Sequence, residues 1–143
     1  MPSIKVTPTK GLFQRSATTA IPNGTLSGHK RVVTAKTASY TMTQADCGTV
    51  ITITGARTLT LPALATSAGF HCSAVMISAA NGVVTGPSGK IQAFSVNAGA
   101  SEYDPGVTTL TLSAGAIGDR FEIYCTGDWW VVTAFANAAV VAT

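Results

Sequence analysis

Charge is scarce in this chain. Nine lysines and arginines and six acids make up 10% of its 143 residues, against about 25% in an average soluble domain. So few charges suit a surface partly buried in an assembly better than a freely soluble monomer. Histidine is limited to His29 and His71. His71 adjoins Cys72, but neighbouring residues on a strand point to opposite faces, so the two do not form a nucleophile–base pair. The three cysteines, Cys47, Cys72 and Cys125, are odd in number and include no CxxC pair. That excludes a regular disulfide framework and argues against structural zinc; buried thiols behaving as small hydrophobes are expected instead. No GxGxxG, P-loop or GxSxG motif occurs. No run approaches the roughly 20 apolar residues that span a bilayer, and no secretory-type apolar stretch follows Lys5. These gaps leave no catalytic residue, metal, cofactor or membrane partner to expect.

The few charges are unevenly placed. Residues 1–36 hold Lys5, Lys10, Arg15, Lys30, Arg31 and Lys36 and no acid, whereas residues 37–143 hold three bases and six acids. The reading is an extended basic N-terminal arm, residues 1–36, on a mildly acidic body, residues 37–143. Such an arm seeks a negative surface. Pro2, Pro8 and Pro22 oppose helix and central-strand pairing in it. Ile4, Val6, Leu12 and Phe13 are too few for a core but enough to fill shallow pockets on a partner, with Lys5, Lys10, Arg15, Lys30 and Arg31 meeting acidic groups. The bases are spread out and scarcely interleaved with aromatics, unlike a dedicated nucleic-acid module.

What is abundant is threonine, alanine, glycine and valine. Threonine and valine favour pleated sheet, and glycine marks turns. The clearest stretch is residues 120–134, RFEIYCTGDWWVVTA. Phe121, Ile123 and Cys125 alternate with Glu122, Tyr124 and Thr126, which places the two sets on opposite faces of a strand. Thr126-Gly127-Asp128 supplies turn chemistry before an aromatic, β-branched run, so the stretch predicts a hairpin. Upstream, residues 49–61 read as a second hairpin. Residues 70–78 read as a central strand, apolar on both faces. Asn81-Gly82 is a hairpin-turn dipeptide. Residues 91–96 and 108–112 read as strands, and residues 97–106 as irregular. No segment sustains helical periodicity. The fold class is all-β: a β-sandwich or a jelly-roll or barrel-like body of about eight or nine short strands.

Two features invite a binding role. Glu102 and Asp104 form the only local acid pair, which reads as solvated loop charge. Trp129 and Trp130 are adjacent and face opposite sides, so one is core and the other sits outside. With Tyr103 and Tyr124, the outward one is a surface for subunit contact or for stacking on sugars.

Two segments resemble the small β-domains of tailed-bacteriophage virion proteins. One is Tyr40-Thr-Met-Thr-Gln-Ala-Asp-Cys-Gly-Thr-Val-Ile-Thr-Ile followed by Arg57-Thr-Leu-Thr-Leu-Pro62. The other is Gly118-Asp-Arg-Phe-Glu-Ile-Tyr-Cys-Thr-Gly-Asp-Trp-Trp-Val-Val. Trp129 takes the tryptophan slot of the closing hairpin, with one turn residue fewer than usual. The resemblance covers residues 38–134. It implies a non-enzymatic capsid decoration (cement) protein on the outer surface of the virion, bound to the major capsid protein and to copies of itself, as a trimer rather than a dimer. The alternative it implies is a receptor- or carbohydrate-binding domain of a fibre or tail tip.

Overall fold

The computed structural model describes residues 3–7, 11–15, 31–97, 100–137 and 139–143. The chain divides into two compact units, Met1–Lys30 and Arg31–Thr143. In the first, β1 (Ser3–Thr7) and β2 (Gly11–Arg15) pair antiparallel, with Lys5 opposite Phe13 and Val6 opposite Leu12. The leading segment therefore carries a hairpin rather than a wholly extended arm.

The second unit starts before the expected boundary at residue 36. Its first strand, β3 (Val33–Lys36), pairs parallel with β5 (Val50–Ile53), because alternating Val33 and Ala35 with Thr34 and Lys36 suits a half-exposed sheet margin. Then follow β4 (Tyr40–Thr41), β6 (Arg57–Thr60), β7 (His71–Met76), β8 (Ala80–Thr85), β9 (Ile91–Asn97), β10 (Ala100–Val107), β11 (Thr109–Gly115), β12 (Arg120–Cys125), β13 (Trp130–Ala136) and β14 (Val140–Ala142).

These twelve strands form two sheets, one of seven in the order β10-β9-β13-β12-β7-β5-β3 and one of five in the order β14-β11-β8-β6-β4. The body is a β-sandwich. From β3 to β8 the chain steps from one sheet to the other with every strand, so strands next to each other in one sheet are joined through the opposite one. Four of the body's ten ladders are consequently parallel, and the β9–β13 ladder is a fifth, which sets the sandwich apart from an antiparallel jelly roll.

This winding corrects three local expectations. Residues 49–61 are not a hairpin: β5 and β6 lie in different sheets. Asn81-Gly82 is not a turn but the middle of β8. Gly82 fits closely there, since a Cβ on it would stand 2.7 Å from the Met76 sulfur and the methionine would have to shift. Residues 97–106 are not irregular throughout, for β10 pairs antiparallel with β9 and has a register shift at Pro105.

The expected hairpin at residues 120–134 is present: β12 and β13 pair antiparallel, closing at Cys125 opposite Trp130. Gly127 takes φ of 104° in its turn, a conformation that costs glycine little. Phe121, Ile123 and Cys125 point inward and are buried. They meet Ile51, Phe70 and Trp130 from the same sheet's side and Leu59, Val84 and Leu112 from the other sheet in one continuous core. Each such side chain, fully enclosed, contributes about 1.5–3 kcal/mol. On the outer face of the five-stranded sheet Thr60, Thr85 and Thr109 stand side by side across β6, β8 and β11, with Val83, Thr111 and Val141 in the next row.

Candidate functional surface

The seven-stranded sheet has a different outer face. Alternation along β9 turns Ile91, Ala93 and Ser95 inward and leaves Gln92, Phe94 and Val96 outside. The same rule on β12 exposes Arg120, Glu122 and Tyr124, and on β13 it brings Val131, Thr133 and Phe135 to the same side. Register then places Tyr103, Phe94, Thr133, Glu122 and Ser73 in one lateral row across five strands. Ser101, Val96, Phe135, Arg120 and Val75 form the next row.

Three of the four aromatic residues singled out in the sequence share this face. Tyr103 is 51% exposed and Tyr124 50%. Tyr103 stacks on Phe94 at 4.7 Å between ring centroids, and its hydroxyl donates to the Gln92 side-chain carbonyl. Trp129 is 36% exposed at the hairpin end, with the Lys90 ammonium 4.6 Å from its ring centroid. Trp130 does not belong with them. It is wholly buried and meets Phe70 edge to face at 5.5 Å. The question of which tryptophan is core is thereby answered.

A polar seam crosses the middle of the face. Arg31 donates from Nη1 to Ser73 Oγ at 2.8 Å, and Ser73 donates to Glu122 Oε2 at 2.6 Å. Glu122 Oε1 in turn lies 3.4 Å from Arg120 Nε, and the Arg120 guanidinium sits 4.4 Å over Phe135. Arg31, expected among the arm's partner-binding bases, is thus tied into the body's own sheet. Of the other arm residues named from the sequence, Ile4, Lys5 and Val6 lie on β1 and Leu12, Phe13 and Arg15 on β2; Lys10 and Lys30 lie outside the described residues. Sequence reasoning missed Phe94, Val96 and the seam. Phe94 and Val96 are larger and more apolar than Ala93 and Ser95, so size alone points the strand the wrong way round.

Chemistry-bearing groups elsewhere are scattered over the body. Glu102 and Asp104 lie on β10 at the sheet margin, and among the described residues no three His, Cys, Asp or Glu side chains converge on a metal position. A shallow open groove lined by Val96, Ile117, Phe135 and Asn137 has Asp119 in its wall. That carboxylate accepts from the backbone N–H of Ala116 at 2.9 Å and of Asn137 at 3.1 Å. His71 contacts Cys47, not its neighbour in sequence, with Nδ1 3.8 Å from Sγ. That is a long hydrogen-bond distance for sulfur, on an exposed pair.

Of the three free thiols, Cys47 is exposed and Cys72 and Cys125 are buried. Burial, reinforced by the nearby Asp46, pushes the Cys72 thiol up to about 12, so it stays protonated and unreactive at neutral pH. Native protein at pH 7.5 is expected to take up one equivalent of a thiol reagent fast, at Cys47, and the other two only on unfolding. Rapid uptake of two or three equivalents by folded protein would contradict this burial pattern.

Among the described residues no helix is long and apolar enough to cross a membrane. Comparison with family models, with curated proteins and with solved structures finds no match.

Proposed function

We propose that this protein is a capsid decoration protein of a tailed bacteriophage, a non-enzymatic clamp on the outer shell. The observation that carries the reading is the division of labour between the two units. Met1–Lys30 holds four bases and no acid, whereas Arg31–Thr143 holds five bases and six acids and contains both sheets. A body that brings its own core and offers an aromatic outer face suits self-association. A basic leading hairpin suits an acidic shell. The resemblance of residues 38–134 to phage virion β-domains supplies the identity of that shell.

The mechanism is additive. Each leading unit engages neighbouring major capsid subunits through Ile4, Val6, Leu12 and Phe13 with Lys5, Lys10 and Arg15. The associated bodies tie those engagements together. One contact then raises the effective concentration of the next, so release of any one subunit requires release of several. A shell linked in this way resists expansion.

The alternative, a glycan-binding fibre-tip domain, draws on Tyr124, the most open of the outward rings that carry no stacking partner. Lys90 over Trp129 and Phe94 against Tyr103 take up ring faces on which a sugar would stack, which favours the decoration reading. The test uses purified capsids stripped of decoration. Reversing Lys5, Lys10 and Arg15 to Glu in the full chain, or deleting residues 1–30, is expected to lower capsid occupancy on the order of a hundredfold, the scale of lost multivalency, while circular dichroism of the body is unchanged. Unchanged occupancy in both variants would overturn the proposal.

A further inference from the structure

We infer that the outer face of the seven-stranded sheet is a self-complementary contact at which two copies of this chain meet about a two-fold axis. The inference rests on the reading of the chain as an assembling structural protein, and adds to it the face used and the symmetry.

The aromatic excess lies on one side of the sandwich. Phe94, Val96, Tyr103 and Tyr124 all stand out from this face, each between 39% and 51% exposed, with Val131 and Phe135 half-buried between them. The opposite sheet presents threonines with Val83 and the 47% exposed Val141 among them, so it is the aromatic side chains that set the first face apart. Aromatic side chains are among those that protein interfaces enrich, and here they flank the polar seam on the central strand β12.

Charge identifies the occupant. The charged side chains of the seam are Arg31, which reaches Ser73 from the segment before β3, and Arg120 and Glu122, two residues apart on one strand, so both signs are present. A two-fold contact brings the same patch against itself. A patch of one sign would repel its copy, whereas this one sets the Arg120 of each chain against the Glu122 of the other. A nucleic acid or a strongly charged peptide would call for a field of one sign, which this face lacks.

Size agrees. Seven strands about 4.8 Å apart and about six residues long at 3.3 Å each give a face of about 600 Å². Two copies then bury about 1,200 Å², where specific interfaces begin. Association by strand addition at the β10 margin is opposed by Glu102, Asp104 and Pro105, residues that blunt an open edge. At that margin the face, not the edge, is the surface open to a second copy.

The experiment measures the native mass of the full chain by sedimentation, with circular dichroism as the check on folding. Wild type is expected to be a dimer at micromolar concentration, in place of the trimer that the resemblance implies. Val96→Asp, and separately Arg120→Glu and Glu122→Arg, are expected to weaken the dimer at least tenfold, while Thr111→Asp on the other sheet leaves it intact. Arg120→Glu carries two anions and Glu122→Arg two cations, so each is monomeric alone and an equal mixture restores the dimer mass. A monomeric or trimeric wild type, or a mixture that stays monomeric, overturns the inference. Capsid binding separates it from the reading beneath it: a monomer that still decorates capsids sinks the two-fold face alone, and a dimer that never binds them sinks the decoration reading alone.

Discussion

Replacing Trp130 by Ala is expected to lower the stability of the body by about 3–5 kcal/mol, the range for removing a large buried aromatic. The side chain has no exposed surface. It lies beside Ile91 on one side and Cys125 on the other, and its ring meets Phe70, so the void opens where three strands and the segment leading into β7 converge. Backbone ladders on both sides of β13 hold the walls apart and limit collapse. Trp130→Phe should cost much less than the loss of volume suggests. The indole Nε1 is buried without a hydrogen-bond partner, and an unmet donor of that kind costs about 1–3 kcal/mol, which phenylalanine recovers. Urea denaturation of the two variants checks both points. A Trp130→Phe as damaging as Trp130→Ala would mean that the donor is satisfied in solution.

Asp119→Ala should cost about 2–4 kcal/mol. The carboxylate is 4% exposed and receives two backbone N–H groups, from Ala116 and Asn137. Its own carbonyl accepts from Met76 at 2.8 Å. One residue thereby fastens the turn before β12 to the end of β13 and to β7. Hydrogen bonds to a charged acceptor are worth about 1.5–3 kcal/mol each, and water in the open groove beside Asp119 and Asn137 replaces part of what alanine removes, which keeps the cost below the sum of the two. Asp119→Asn keeps one acceptor and turns an amide towards the second N–H, so it should fall between the two. Faster hydrogen exchange at Ala116 and Asn137 is the local signature. Exchange unchanged at both amides would show that these bonds do not hold the turn.

The parts of the fold legible in the sequence were those decided by neighbours along the chain. In β12, the alternation of Phe121, Ile123 and Cys125 with polar residues and the glycine after it were sufficient. Where the chain changes sheet, the same local marks mislead. Gly55 ends β5 with a positive φ just as a hairpin glycine would, and nothing nearby says that the next strand joins the opposite layer. Asn81-Gly82 has the composition of a turn, but Gly82 answers to Met76, which packs on it across the core. In β10, acid, proline and glycine hide a strand, because a margin needs only one set of ladder bonds and tolerates all three. The surface was legible only in part. Tyr103, Tyr124 and Trp129 were named, but which tryptophan faces out depends on turn length, since a shift of one residue inverts the whole strand. The Arg31–Ser73–Glu122 seam joins residues far apart in sequence and leaves no local trace.

The path from β3 to β8 carries an implication for how such a body changes size. Each circuit deposits one strand on either layer and touches chiefly the circuits beside it, the arrangement by which stacked repeats tolerate gain or loss of a unit. An insertion of one whole circuit would widen both layers together and leave the closing β12–β13 pair undisturbed, whereas an insertion of half a circuit would send every later strand to the wrong layer. Width in this protein is therefore quantised, and natural variants should differ by complete circuits.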